Sequence, residues 1–419
     1  MRNIFDQYSQ PENRLTHALV TALAEDGRLL KRFVRWVMGK SAPKGAALDI
    51  VEQSFPGEVP RSEEEAEKRG LPDACIYQDD RWALVIESKV AAKLTYDQLR
   101  RHEKTAERRG FKRVAVLAID TECPVRPLPN SWLFRSWAEI YAWLIKESVT
   151  SEWARRVAEY FVAAEKRFVG EGYPVEGTLT TFAGIPFGAD EPYNYPEAKR
   201  LLKLAMDELR KNRKLVRQMG IAPHASGRGA ITGREGSAVW DFLQLQGLKK
   251  GEAFTKLPHL TLAIEEDRLL VMVTIPHGIR SELRRNLVGL GSNGFQALFS
   301  SLNTELLRAL RKAKGATPWV AVVQRRYPSQ KSAAILDARI EYNLQTAFSK
   351  KQSKALVKSQ PQWLEATYDA LCSKRSNLQV AVGASFPYRL CVATKNPRIV
   401  DHIAHTWLAC RPLLDAMLR

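Results

Sequence analysis

The sequence predicts an α/β N-terminal domain with a mixed sheet, followed by an α+β C-terminal region. Three observations carry that expectation. Apolar residues at helical spacing alternate with short β-branched runs through roughly the first 145 residues. A stretch rich in Gly, Pro and aromatics, 170–196, then interrupts the pattern. Beyond it, strand-like pairs begin near 257, 317 and 377, each followed by a helical pattern.

Residues 11–38 place Leu15, Ala18, Leu19, Ala22 and Leu23, then Leu30, Phe33, Val34 and Val37, at three- and four-residue steps. That spacing predicts amphipathic helix, broken near Asp26-Gly27, with Ser9 as a cap and Pro11 in the opening turn. Residues 46–55 predict a strand, and 60–70 a charged surface segment. Ala74–Tyr77 and Arg81–Ser88 predict a hairpin about Gln78-Asp79-Asp80. A polar helix over 95–109, a buried strand over 112–119 and a strand or loop entering a helix over 131–147 complete the domain. Domain bounds follow: 1–169, a linker with a basic helical segment over 170–256, and an α+β recognition or regulatory domain over 257–419. That last part divides into three strand–strand–helix units, their helices over Gly294–Lys312, Pro361–Ser373 and Arg398–Leu418.

Composition narrows the partners. The 419 residues are 45% hydrophobic and 26% charged, as in ordinary globular proteins, and no apolar run reaches transmembrane length. No apolar signal segment opens the chain, so a cytoplasmic location without membrane attachment is expected. Five cysteines lie far apart without a CxxC pair, and the histidines have no zinc spacing. A formal net charge of +18 points to a polyanion, nucleic acid above all.

One stretch concentrates chemistry. In GLPDACIYQDDRWALVIESKV, residues 70–90, the apolar strand Trp82–Ile86 ends in Glu87, Ser88 and Lys89, while Asp73 precedes the partner strand. Residues two apart on a strand share a face, so Glu87 and Lys89 point the same way. A solvent-facing ion pair is one reading of that spacing. The other is a hard-cation site, with carboxylate oxygens from Asp73 and Glu87 and the Ser88 carbonyl as a third donor. Lys89 would then face the same water or the phosphate.

Pro72-Asp73 followed by Glu87-Ser88-Lys89 resembles the PD-(D/E)XK nuclease superfamily. The resemblance covers roughly residues 1–145. It implies a restriction-endonuclease-like core, Mg²⁺ as cofactor with Mn²⁺ as substitute, and hydrolysis of phosphodiester bonds. It also implies site roles for Glu12 on the first helix and Gln98 on the helix after the catalytic strand. A first-turn acid favoured by the helix dipole is the other reading of Glu12. Some relatives carry an aromatic four residues after that Gln; here the position is His102.

Phosphate contacts are expected from Lys93, Arg101 and His102, and from Lys199, Lys203, Arg210 and Lys214 on the basic helix over 196–219. A solvated basic face is the alternative for that helix. The Gly-rich run 227–236 lacks the Gly-Lys-Ser/Thr ending of a P-loop. Together with the basic charge, the resemblance implies a metal-dependent nuclease directed at DNA, and the resemblance alone implies restriction or anti-phage defence as its setting. The alternatives are a nuclease gated by a ligand or protein signal, and a nucleic-acid binder with a non-catalytic nuclease-like domain. A homodimer is expected if both strands of a duplex are cut from one site per chain.

Overall fold

The computed structural model describes residues 5, 8, 10–43, 47–58, 65, 70–90, 94–121, 124, 127–170, 181–182, 194–222, 238–327, 335–348, 359–373 and 377–418. The chain forms two compact units, Met1–Leu179 and Thr180–Arg419.

In the first unit, α1 (Pro11–Glu25) and α2 (Gly27–Met38) are separate helices. Asp26 divides them: its side chain accepts from the N–H groups of Arg28 and Leu29, the bonds of an N-cap. Five strands follow: β1 (Asp49–Glu52), β2 (Ala74–Gln78), β3 (Trp82–Ser88), β4 (Val114–Asp120) and β5 (Trp132–Ser136). They lie side by side in chain order, with β1–β2–β3 antiparallel and β3–β4–β5 parallel. The expected strand over 46–55 shortens to four residues, because at Gln53 the backbone turns to φ 45°. The α3 helix (Tyr96–Arg108) connects β3 to β4, and α4 (Trp137–Glu147) follows β5 from a Ser136–Glu139 capping box.

The central strand β3 is buried along its whole length. Trp82, Leu84 and Ile86 join the core with α1, α2 and α4, while Ala83 and Val85 face the other way, towards Ala106 of α3. Each such buried aliphatic stabilises the fold by about 1.5–3 kcal/mol. One large helix of this core, α5 (Glu152–Gly170), is absent from the sequence expectations; it brings Val157, Phe161 and Phe168 against α1 and α4.

The second unit is built on an antiparallel sheet of six strands: β6 (Ala238–Gln244), β7 (His259–Glu265), β8 (Arg268–Ile275), β9 (Thr317–Arg326), β10 (Ile335–Asn343) and β11 (Leu378–Pro387). Their spatial order is β10-β9-β11-β8-β7-β6. The helices are α6 (Asn194–Lys211), α7 (Arg213–Met219), α8 (Ser281–Val288), α9 (Gly291–Leu310), α10 (Gln345–Phe348), α11 (Gln362–Cys372), α12 (Ile399–Ala409) and α13 (Arg411–Leu418). Leu262, Val271, Val322 and Val382 share the main core with Leu202, Phe299 and Trp407 from these helices.

Three expectations change here. The single basic helix over 196–219 is two, because Asn212 accepts from the Leu215 N–H and caps a second helix. The segment 170–256 is no independent linker: α6, α7 and β6 are part of the second unit, and Leu202, Leu209, Val239 and Leu243 are core residues. The third repeat unit has one strand instead of two. Ten residues of β11 end at Pro387, and Val392–Lys395 makes a single 3-10 turn. The Gly-rich run 225–237 lies outside the described residues.

Gly383, in the middle of β11, pairs with Met272 on one side and Trp319 on the other. A Cβ there would run into the Val271 carbonyl of the neighbouring strand. Gly383→Ala is expected to destabilise the second unit by about 1–3 kcal/mol or more, seen as a lower urea midpoint. An unchanged midpoint would show that the strands separate without cost.

Candidate active site

The β2–β3 register sets Ala74 opposite Ile86. One step further, Asp73 comes opposite Glu87, at the end where β3 runs parallel to β4. Like charges facing each other across strands repel. The surroundings of each carboxylate answer that repulsion differently.

Asp73 is held from the backbone side. Its Oδ2 accepts from the Ser88 N–H at 2.7 Å and from the Ser88 hydroxyl at 2.8 Å. Ser88 spends its only hydroxyl proton on Asp73, so the 2.6 Å contact to Thr16 of α1 has Thr16 as donor. The Asp73 carbonyl accepts from the Gln53 N–H at 2.8 Å, which uses the turned backbone of Gln53.

Glu87 is held by a lysine and a histidine. Its Oε1 meets Lys89 Nζ at 2.8 Å and its Oε2 meets His102 Nε2 at 3.0 Å. The shared face of Glu87 and Lys89, expected from their two-residue spacing, is therefore real. Lys89 itself is fixed at the backbone, where its N–H donates to the Ile119 carbonyl and its carbonyl accepts from Trp137 Nε1. His102 sits on the inner face of α3 with Leu99 and Ala106, only 2% exposed. Among the described residues its Nδ1 has no hydrogen-bond partner.

The environments push the two acids apart. Burial raises Asp73, the neighbouring Glu87 charge adds to it, and Lys89 and Ser88 oppose both; the carboxyl is pushed up to about 7. Burial alone would raise Glu87 too, but the His102 bond and the Lys89 charge outweigh it and hold Glu87 below the ordinary value.

These groups line one cleft of about 90 Å³, with Asp73, Glu87, Lys89, Gln98, Arg101 and His102 on its wall. That volume suits a hydrated ion or a phosphate group, and is well below a nucleotide pocket. Gln98 is anchored by Thr95, whose side chain caps α3 and donates to Gln98 Oε1 at 2.9 Å. Arg101 lies across Gly70, whose φ of +64° and missing Cβ leave space for the guanidinium. Gln10, Asn13 and Gln53 also line the cleft and were not singled out from sequence. The Glu12 side chain and all of Lys93 lie outside the described residues.

Lys199, Lys203, Arg210 and Lys214 belong to the second unit. Arg210 is engaged by Asp207 at 2.9 Å and Asp241 at 3.3 Å, so part of that basic helix is internally neutralised. Lys203 and Lys214 are exposed.

Among the described residues, no group of three or more His, Cys, Asp or Glu side chains is gathered as a metal cage. Two carboxylates in mutual repulsion remain a donor set suited to a hard divalent cation that keeps waters or phosphate oxygens. Among the described residues, no helix is long and apolar enough to cross a membrane. The chain matches no protein-family model, and no curated protein is significantly similar to it.

The raised Asp73 sets a sign for pH dependence. Between the ordinary carboxyl range and about 7, the folded protein keeps a proton that the unfolded chain releases. Stability without divalent cations therefore falls as pH rises through that window. In chelator, the melting temperature of the wild type is expected to drop more between about pH 5 and pH 8 than that of Asp73→Asn, which keeps an acceptor for Ser88 but does not titrate. Parallel pH profiles would refute the raised value.

Proposed function

We propose that the chain is a metal-dependent nuclease of the PD-(D/E)XK type, hydrolysing phosphodiester bonds with DNA as the favoured substrate. One observation carries the reading: Asp73, Glu87, Lys89, Gln98 and His102, from two strands and a helix, line a single cleft. Its place at the carboxyl end of a parallel strand pair, on a five-stranded mixed sheet, supports a restriction-endonuclease-like first unit.

Asp73 and Glu87 would hold Mg²⁺ or Mn²⁺, with the Ser88 carbonyl as a third donor. When bound, the ion supplies a water of lowered pKa and offsets charge on the phosphoryl oxygens. The chain's own groups do the rest. Ser88 orients Asp73, leaving Oδ1 outside that pair of bonds. His102 fixes the Glu87 carboxylate from the helix side. Lys89 Nζ exchanges its bond to Glu87 for a phosphate oxygen or the attacking water, and stabilises the developing charge. Arg101, exposed beside the cleft, binds the scissile or adjacent phosphate. The net charge of +18 favours the polyanion throughout.

A non-catalytic nucleic-acid binder is favoured by one feature, the engagement of both Glu87 oxygens by the protein's own Lys89 and His102. Cleavage assays separate the two. Plasmid and single-stranded DNA are expected to be cut with Mg²⁺ or Mn²⁺, and Asp73→Ala and Lys89→Ala to lose about a hundredfold or more in rate. Intact DNA with wild type, alongside salt-dependent binding, would favour the binder. Unchanged cutting by both variants would place the chemistry elsewhere.

A further inference from the structure

The six-stranded sheet has two faces, and among the described residues the helices' main core occupies one of them. Strand periodicity sends Leu260, Leu262, Val271, Val273, Val320 and Val382 to that core. The alternate residues line a recess of about 470 Å³ on the opposite face. That is within the usual range for a small-molecule site.

The floor is unusually small in side chain. A row His259, Thr274, Ala381, Ala321 runs straight across β7, β8, β11 and β9 in register. Three strand spacings make that row about 14 Å long. The next row holds Thr261, Met272, Gly383 and Trp319, so Gly383 again withholds a side chain beside a tryptophan. Large residues stand at the walls: Trp240, Phe254 and Trp319, with Tyr327 exposed at the edge. An apolar sheet face intended for packing against another layer would carry branched aliphatics in these rows, as the helix-covered face does.

The polar groups in the recess also look unfinished. His259 is 4% exposed and, among the described residues, its Nδ1 has no hydrogen-bond partner. Burial pushes its ring down to about 4, against the Leu257 backbone, so it is neutral and offers one ring nitrogen for a bond. At the other end Arg325 bonds Gln379 at 3.4 Å and, among the described residues, makes no ion pair with a carboxylate. The neighbouring cations differ: Arg268 and Arg339 both pair with Glu341.

We propose that this recess binds a nucleotide, its base among Trp240, Phe254 and Trp319 and within reach of His259, its phosphate at Arg325. Aromatic walls provide stacking for a flat heterocycle, a neutral histidine reads a base edge, and an unneutralised guanidinium takes the phosphate. The ligand is a free nucleotide or one nucleotide of a single strand, since the recognised chemistry is the same. The proposal concerns the second unit alone and does not rest on cleavage by the first.

Tryptophan fluorescence of the full chain, titrated in chelator with each nucleoside monophosphate and with short single-stranded oligonucleotides, tests it. At least one probe is expected to saturate below about 1 mM. Trp240→Ala and Arg325→Ala should each weaken it about fivefold or more, the lower end of one base–aromatic stack. Ala321→Leu, which fills the floor without removing a polar group, should do the same. A mononucleotide binding as well as the oligonucleotides identifies a free ligand. An oligonucleotide at least about tenfold tighter, still dependent on Trp240, identifies a base within a strand. Absence of saturation, or affinities untouched by all three recess variants, would overturn the proposal.

Discussion

The first unit is organised around the register that sets Asp73 opposite Glu87. Two acids facing one another at the end of a buried strand are a liability in any fold. Nearly every other feature of the cleft compensates for that placement. Ser88 gives Asp73 two hydrogen bonds, and Thr16 completes the hydroxyl's own needs from α1. Lys89 and His102 take the two oxygens of Glu87. The compensation is unequal, so one acid is pushed up and the other held down. A pair of titratable groups driven apart by their surroundings is the usual signature of a chemical site.

The strand parity of β3 explains how so few residues do this. Glu87 continues the face of Ala83 and Val85, and so reaches α3 and His102. Ser88 continues the face of Leu84 and Ile86, and so reaches α1 and Thr16. A slip of one residue would exchange those partners and bury an uncompensated acid against α1. The apolar run before the charges therefore has two tasks: it fills both core layers and it sets the phase in which the charges emerge.

Much of that was legible in the sequence, because it is local. The break at Asp26-Gly27, the hairpin about Asp79-Asp80 and the strand ending in Glu87-Ser88-Lys89 all depend on neighbours within a few positions. What escaped depends on distant ones. Gln53 enters the cleft through a positive φ that nothing in its residue type requires. Ser88 suggested only a carbonyl donor, whereas its N–H and hydroxyl turn out to brace Asp73. The 152–170 helix packs apolar residues in a charged sequence, and β6 lies next to a glycine-rich run that masks its alternation. The third repeat misled because LCVATK has strand composition, yet Pro387 ends the ladder before it.

The two sheets handle their second faces in opposite ways, and residue size shows it. In the first unit both faces of β3 carry aliphatics or alanine packed against helices, and only its end is polar. In the second unit the helix-covered face is Leu, Val and Ile, while the other mixes Ala, Thr and Gly with Leu270, Met272 and two tryptophans. Small residues in the centre of a sheet forfeit packing that larger ones would gain. Their concentration in rows crossing four strands, rather than scattered along one, hollows the face at one place. At Gly383 the missing side chain is imposed by the Val271 carbonyl of the neighbouring strand, whereas Ala321 and Ala381 line the recess itself.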